Sequence, residues 1–569
     1  MEGVGASPGI SIGKIHLLVD EKVKIDTGKI REEEIETELN KLKNALNQTE
    51  KDLKKIKEET ENRFGVDKAE IFEAHLMFLE DPEFISRIEG EIKNKRMRAE
   101  AAVNKAVKQF ANLLSELEDE YILARQADIK DVGSRIIDLI MGKKSKKRDL
   151  ALNTVIVAED LTPSDTAQLD TRKVAAFVTS EGSKTSHTTI MARSLGIPAV
   201  VAVGKGLISK TVEGQDIIVD GIDGRVIIDP DPDTVKEYRE KGERYHKELK
   251  RLTKFRGIKA VTIDGRDIEV AGNIGNLMEL EGVLKKGGDG IGLFRTEFLY
   301  MNREELPSEE DQFVVYKTAV QKMAGKPVII RTLDIGGDKE IPYLEFPPEM
   351  NPFLGYRAIR VCLDRDDIFK PQLRAILRAS EYGDIRIMYP MISNLEEIEK
   401  ANRLLTVCKK ELNNEGKKFN SEIKVGVMIE TPAAVMEASA IARNVDFFSI
   451  GTNDLIQYTL AVDRINEKIS ALHSPYHPSV LRLIKMTVEA ANQEGIPVGI
   501  CGEAAGEELL IPYLIGVGLD ELSMSAISIL KTKETISRWS MKEANEIVST
   551  VISLENSHQI INYLKKVKK

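Results

Sequence analysis

Cysteine is scarce in this chain of 569 residues: Cys362, Cys408 and Cys501 are the only three, far apart and without CxxC spacing, which excludes a disulfide framework and a cysteine zinc site. Each reads as a free thiol in a reducing compartment. Long apolar runs are missing as well. The longest, Leu509 to Leu519, contains Pro512 and two glycines and falls well short of the roughly 20 residues needed to cross a bilayer, so no membrane insertion is expected. The opening MEGVGASPGI has neither the basic segment nor the apolar core of an export signal, which points to the cytoplasm. A basic excess is absent too: Lys and Arg number 82 against 92 Asp and Glu, so nucleic acid is not the expected partner, whereas a basic protein would be electrostatically welcome. Histidine occurs seven times, and only His187 sits in an unusual local setting.

What is present is an ordinary globular composition, 42% apolar and 31% charged, long enough for about four compact units of roughly 150 residues. Ile35, Leu39, Leu42, Leu46, Leu53 and Ile56, with Thr49 filling the gap, recur in steps of three and four and predict a long amphipathic helix. Helical spacing returns around Phe72 and His75, Val103 to Leu117, and Ile129 to Ile140, so residues 31–142 read as a helical bundle, closed by Gly142 and a basic connector at 143–148. Short apolar runs follow at Thr154 to Ala158, Val174 to Thr179, Ala199 to Val203, Ile217 to Asp220 and Val226 to Asp229; these are expected strands. Residues 231–260 are charged almost throughout and predict a linker helix. Beyond lie eight strand-like runs: Ile268 to Ala271, Gly290 to Phe294, Pro327 to Ile330, Asp384 to Tyr389, Lys424 to Ile429, Asp446 to Ile450, Pro497 to Ile500 and Glu521 to Met524. An open doubly wound sheet would alternate similarly, but a count of eight favours a closed (β/α)8 barrel.

Barrel chemistry sits at the C-terminal ends of strands. There the sequence places Arg295-Thr296-Glu297, Arg331-Thr332, Glu430-Thr431-Pro432, Thr452-Asn453-Asp454 and Cys501-Gly502-Glu503. A charge at the end of a buried strand is costly unless paired, so five such endings mean either internal salt bridges or an active site. Glu430 and Asp454, from adjacent strands, could share Mg²⁺, and nearby arginines could hold a phosphate and a second carboxylate. The combination suits a small phosphorylated acid.

His187 stands where a small polar loop after a strand opens a helix, and Gly196 with Pro198 closes that helix. Free N–H groups and the positive dipole end would stabilise an anion attached to this imidazole, and a neutral imidazole is a competent phosphoryl nucleophile. Local sequence reads equally as a histidine making structural hydrogen bonds. The glycine-rich stretches at Gly3 to Pro8 and Gly288 to Gly292 do not make nucleotide sites: the first has Pro where a third Gly is needed, and the second enters a strand rather than leaving one.

Taken together, Ala6-Ser7-Pro8-Gly9-Ile10, Asp160-Leu161-Thr162-Pro163-Ser164-Asp165-Thr166, Thr185-Ser186-His187-Thr188-Thr189-Ile190-Met191-Ala192-Arg193, Asn351-Pro352-Phe353-Leu354-Gly355-Tyr356-Arg357 and the barrel endings resemble enzyme I of the bacterial sugar phosphotransferase system over essentially the full length. The resemblance implies a multidomain α/β protein: a phosphohistidine domain at 1–30 and 143–230, an inserted helical bundle at 31–142 that docks the phosphocarrier HPr, a linker helix at 231–260, and a TIM-type barrel at 261–569 that binds phosphoenolpyruvate and forms a homodimer. It implies His187 as the phosphorylated residue and Thr166 as the group orienting its imidazole. Arg295, Arg331, Arg357, Asn453 and Arg464 become phosphoenolpyruvate ligands, Glu430 and Asp454 Mg²⁺ ligands, and Cys501 the acid that protonates the enolate of pyruvate. For Cys501, local sequence alone also allows a buried inert thiol. The phosphohistidine domain is expected to swing about the segments near 230 and 260. HPr is expected on a patch rimmed by Glu70, Glu73, Glu80, Asp81 and Glu83, near His75.

One departure stands out: Gly182-Ser183-Lys184 occupies the place of the family's usual Gly-Gly-Arg, and a lysine lacks the planar fork of arginine. Two other readings compete. A regulatory paralogue with reduced catalysis conflicts with the intact set His187, Arg295, Arg331, Glu430, Asp454 and Cys501. An enzyme like pyruvate phosphate dikinase needs a large ATP-binding domain for which the chain has no room.

Overall fold

The computed structural model describes the chain except residues 19–24, 27, 65, 116–119, 143–149, 162–164, 166–168, 183–186, 302, 304, 338–340, 342, 345, 347, 465 and 467, and the side chains of 59, 62–71, 112–128, 187, 190 and 194. Two compact units result, Met1–Glu248 and Leu249–Lys569.

The first unit combines a sheet and a bundle. Seven strands, β1 (Val4–Ser7), β2 (Ile10–Leu18), β3 (Thr154–Ala158), β4 (Val174–Thr179), β5 (Ala199–Val201), β6 (Asp216–Asp220) and β7 (Arg225–Ile228), lie in the order β1-β5-β4-β3-β2-β6-β7. β2, β3, β4 and β5 pair in parallel and the outer strands pair antiparallel. β3 is buried at every position, which is why Thr154–Ala158 reads as an unbroken apolar run rather than an alternating one. Both faces of the sheet are covered, one core containing Ile156, Phe177 and Met191 and the other Val157, Val178 and Val219.

The bundle is inserted between β2 and β3 as five helices, Ile35–Phe64, Val66–Leu79, Pro82–Lys95, Ala99–Ser115 and Glu120–Ile140. The third has its own start signal: the Asp81 carboxylate accepts from the N–H groups of Glu83 and Phe84, and Pro82 occupies the first turn. Phe84, Ile88 and Ile92 then recur at four-residue steps and are completely buried, worth about 1.5–3 kcal/mol each. Thr49, at a core position of the first helix, is also fully buried, and its hydroxyl is satisfied by donating to the Ala45 carbonyl at 2.8 Å.

The charged stretch forms one helix, Pro232–Thr253. Its first half is fastened within the first unit by Tyr238, which is buried, and by Lys241, which bridges Asp220 and Asp223. Its last turn is fastened within the second unit by Arg251 to Glu534.

The second unit is a closed barrel. After the two-residue strand β8 (Ala260–Val261) come β9 (Asp267–Ile274), β10 (Ile291–Arg295), β11 (Val328–Arg331), β12 (Ile385–Tyr389), β13 (Lys424–Ile429), β14 (Phe447–Gly451), β15 (Val498–Cys501) and β16 (Glu521–Met524). Each of the eight pairs in parallel with the next, and β16 closes on β9. Helix starts between strands carry the expected caps, for example Ser308 with Asp311 and Asn394 with Glu397 in reciprocal capping boxes. All three cysteines are buried free thiols. Among the described residues no helix is long and apolar enough to cross a membrane.

Candidate active site

Inside the barrel, Leu293, Ile329, Met388, Met428, Phe447 and Cys501 pack as an apolar tier. Side chains alternate along a strand, so residues two positions further on face the same way, one tier nearer the mouth. From Leu293, Ile329 and Met428 those residues are Arg295, the last of β10, Arg331, the last of β11, and Glu430, just past β13. Arg295 stands opposite Arg331 in the ladder.

A buried chain of alternating charge crosses this mouth. Glu297 pairs with Arg331, whose guanidinium also meets Asp334 at 3.1 Å. Asp334 then accepts from Arg357 at 2.9 Å, and the far side of Arg357 reaches Asp454 at 3.2 Å and the Tyr458 hydroxyl at 3.0 Å. Burial alone would lower the pKa of both arginines. The carboxylates overturn that, Glu297 and Asp334 at Arg331 and Asp334 and Asp454 at Arg357, so both guanidinium groups are held charged. Among the described residues the Nε of Arg331 has no acceptor, and its Nη1 meets only the Met428 sulfur at 3.9 Å. A buried cation with donors left over is set for an anionic ligand.

Glycine and strained backbone shape the mouth. Gly336, at φ 97°, lies under Arg357, where a Cβ would come within 2.7 Å of the Arg357 Cβ. Met391 holds φ 55°, and its N–H donates to Glu430 Oε1 at 2.5 Å. Thr431 caps the helix Pro432–Met436 by accepting from Ala434, which fixes the chain directly after Glu430.

Glu430 is 1% exposed, and its Oε2 has no hydrogen-bond donor among the described residues. That oxygen faces Gly451, where a Cβ would lie 2.7 Å away. Burial and then the Asp454 and Asp334 carboxylates raise the pKa of Glu430, with Arg331 and Arg357 opposing. Asp454 lies in the first turn of the helix Thr452–Leu460, which leaves β14 without a loop. Two carboxylates side by side, one with an orphaned buried oxygen, fit a hard divalent cation that takes few protein ligands and keeps positions for substrate oxygens.

Thr452 ties this helix to the next strand by donating to the Cys501 carbonyl at 3.0 Å. Cys501 is the last residue of β15, 2% exposed, and burial pushes its thiol up to about 11, with Ser449, Arg331 and Arg295 pulling down and Glu430 pushing up. The thiol therefore keeps its proton at neutral pH. Asn453 is half-buried, its carbonyl 3.0 Å from His473 Nε2, and Arg464 is half-buried with its N–H donating to Gln457 at 3.2 Å. Arg295, Arg331, Arg357, Glu430, Asp454 and Cys501 thus fall at one mouth, with Asn453 in the same first turn as Asp454, and Arg464 follows the end of that helix. Glu297, Asp334, Tyr458 and Met391 join them without having been singled out for a role there; for the first two, the available signal was a carboxylate two or three residues beyond an arginine at a strand end.

Three matches to described families tile the chain: PEP-utilising enzyme, PEP-binding domain over residues 249–541; PEP-utilising enzyme, N-terminal, over 2–125; and PEP-utilising enzyme, mobile domain, over 151–224. Curated relatives share its full length. The phosphoenolpyruvate-protein phosphotransferase of Priestia megaterium is 47% identical over 566 residues, covering 99% of this chain and 98% of its own, and that of Bacillus subtilis (strain 168) is 46% identical over 567, covering 100% and 99%. The Staphylococcus carnosus (strain TM300) protein of the same name is 45% identical over 570 residues, covering 100% and 99%.

The chain belongs to the phosphoenolpyruvate-protein phosphotransferase family.

Within the family's mobile-domain segment, His187 is the first residue of the helix His187–Leu195, and Gly182 before it holds φ 109°. That helix is seated by Met191 and Ala192 in the core beside Ala6, and Arg193 donates to the Ala6 carbonyl at 2.7 Å, so the Ala6-Ser7-Pro8-Gly9 motif braces it. The His187 side chain and residues Thr166, Ser183 and Lys184 lie outside the described residues.

In the bundle, His75, which shares the helical spacing of Phe72, is 1% exposed, edge-on to Phe72 at 5.6 Å and 3.8 Å from Asp131. The acidic rim is also partly engaged, with Glu73 paired to Lys57, Glu83 to Arg87, and Asp81 spent as a helix cap. The Glu70 side chain lies outside the described residues.

Proposed function

We propose that this phosphoenolpyruvate-protein phosphotransferase takes the phosphoryl group of phosphoenolpyruvate onto His187 and passes it to the histidine of HPr, releasing pyruvate, as the first step of sugar uptake by the phosphotransferase system. The observation that carries this reading is the barrel mouth, which holds both a buried arginine, Arg331, with unspent donors and a buried carboxylate, Glu430, with an oxygen that has no donor among the described residues. A ligand bearing phosphate and carboxylate, bound with a cation, answers both needs.

Arg295, Arg331, Arg357, Asn453 and Arg464 bind and orient the substrate's anionic groups, so that much of the barrier is met by positioning. Glu430 and Asp454 would hold Mg²⁺, which supplies positive charge to the phosphoryl and enolate oxygens. His187 Nε2, with Thr166 orienting the ring, attacks phosphorus in line; the N–P bond forms as the P–O bond to the enolate breaks. Cys501 then gives its proton to the methylene carbon of the enolate, forming pyruvate, and regains one from solvent. His187 must next meet HPr, so the two units move with respect to each other during turnover.

HPr docks on the bundle, where Met77 is 70% exposed beside Glu80. The barrel pairs with a second copy. Support for that comes from Met350, Leu354, Met436 and Leu472, exposed apolar side chains in segments that follow strand C-termini. The work is done in the cytoplasm. Phosphoenolpyruvate carrying labelled phosphate tests the reading. With HPr and Mg²⁺ present, label should move to HPr with one pyruvate released per phosphoryl group, and chelation should stop it. Pyruvate release without labelled HPr would contradict it.

A further inference from the structure

Behind the charged mouth lies a buried polar network with one side chain at its centre. Gln372 belongs to the helix Asp366–Ala379, outside the barrel wall, and is completely buried. Its Oε1 accepts from the Leu333 N–H at 2.9 Å, and its Nε2 donates to the Thr296 hydroxyl at 3.1 Å and to the Tyr316 hydroxyl at 3.3 Å. Thr296 in turn donates to the Arg331 carbonyl at 2.9 Å. Tyr316 donates to Gln312, which also accepts from Tyr300.

We infer that Gln372 is a positioning residue for the substrate-binding arginines, acting through Thr296 and Leu333. Thr296 lies between Arg295 and Glu297, and Leu333 lies between Arg331 and Asp334. One amide therefore ties the two strand ends that supply Arg295, Glu297, Arg331 and Asp334. The segment after β11 needs such a tie: past Arg331 the ladder continues only through the Thr332 N–H to Met388, and at Leu333 side chains replace it, with Gln372 taking the N–H and the Cys362 thiol donating to the carbonyl at 3.5 Å. The helix carrying Gln372 is clamped from its other side by Arg374 to Glu309, Glu411 and Glu415 and by Arg378 to Glu309 and Glu310. A fully satisfied buried amide on a clamped helix holds its partners in one geometry.

The inference rests on Arg295 and Arg331 being phosphoenolpyruvate ligands, which Arg331→Ala tests by itself. In the full chain, Gln372→Met removes all three bonds at nearly constant volume. Thr296→Val removes the hydroxyl from the other end, and Thr296→Ser retains it. Steady-state pyruvate release at varied phosphoenolpyruvate and varied HPr separates the two Michaelis constants. Gln372→Met and Thr296→Val should each raise KM for phosphoenolpyruvate by roughly tenfold or more and leave KM for HPr unchanged. Thr296→Ser should behave as the parent, and the double variant should be no worse than the poorer single, because both cut one connection. KM for phosphoenolpyruvate within about twofold of the parent in both variants would overturn the inference, as would independent, multiplying effects. Should Gln372→Met fail to fold, the Thr296 pair decides. A normal KM in Arg331→Ala would instead sink the underlying assignment of the arginines.

Discussion

The two ends of the barrel bury carboxylates in different company. At the mouth, Glu297, Asp334 and Asp454 each meet an arginine, while Glu430 bonds only the Met391 N–H and its Oε2 has no donor among the described residues. At the opposite end, Glu521 opens β16 beside Glu269 of β9, and its Oε1 has no donor among the described residues. The nearby cation, Arg386, is already bonded to Asp384. Burial, then Glu269, pushes Glu521 up to about 7 against the pull of Arg386. A buried carboxylate can be answered by a cation or by a proton. Burial and Asp454 push Glu430 up as well, so each end can take a proton where no cation is present; what sets the mouth apart is the second carboxylate and the arginines that frame a ligand there.

Removing the orphaned oxygen at the mouth should have the largest effect. Glu430→Gln should cut turnover by roughly a thousandfold and abolish tight Mn²⁺ binding followed by electron paramagnetic resonance, because charge stabilisation of this kind is worth that much. The same substitution should raise the melting temperature of the metal-free protein at alkaline pH, where the buried Glu430 carboxyl loses its proton, and change it little at pH 5. A variant that loses activity but melts lower would break the comparison.

Cys501 sharpens it one tier down. Cys501→Ala should bind phosphoenolpyruvate normally and slow pyruvate formation by about a hundredfold, the range of a positioned general acid, read in single-turnover experiments. Normal turnover would mean that another proton source serves the enolate.

The floor offers the smallest effect. Glu521 has a folded-state pKa above its ordinary 4.5, so the folded protein takes up a proton the unfolded chain does not. Stability is then fullest below about pH 4.5 and is lost as pH rises through about 7, by roughly 3 kcal/mol. Glu521→Gln should raise the melting temperature at pH 8 and change it little at pH 5, with turnover unaffected. An equal shift at both pH values would show that the floor carboxylate is not protonated on folding.

Much of this contrast could be read from the sequence, and the unread part has physical reasons. The eight barrel strands stood out because parallel strands buried on both faces are continuous apolar runs. Their ends were displaced by one residue at Arg295, Arg331 and Cys501, since a charge or a thiol looks like the first residue of a loop; the structure instead makes each the last residue of its strand. That shift decides which way the side chains point. The helix Pro82–Lys95 had a legible cap and stripe in Asp81-Pro82 and Phe84, Ile88 and Ile92, yet it was absorbed into the bundle without being separated. His75 shares the helical spacing of Phe72, and the helix turns it inward against that ring. Gln372 carries no motif signal, and Asp334 only that of a carboxylate three residues beyond a strand-end arginine. Their parts depend on partners such as Arg357, 23 residues from Asp334, and Thr296, 76 residues from Gln372, that the closed barrel brings together.

The central claim is that the phosphoryl group leaves the barrel on His187. Incubation of the full chain with phosphoenolpyruvate and Mg²⁺, without HPr, followed by mass spectrometry under basic conditions, tests it most directly. The expected result is one acid-labile, base-stable phosphoryl group per chain on His187, absent in His187→Ala, a variant that still binds phosphoenolpyruvate. A phosphoryl group on any other residue, or labelling that survives His187→Ala, would contradict it.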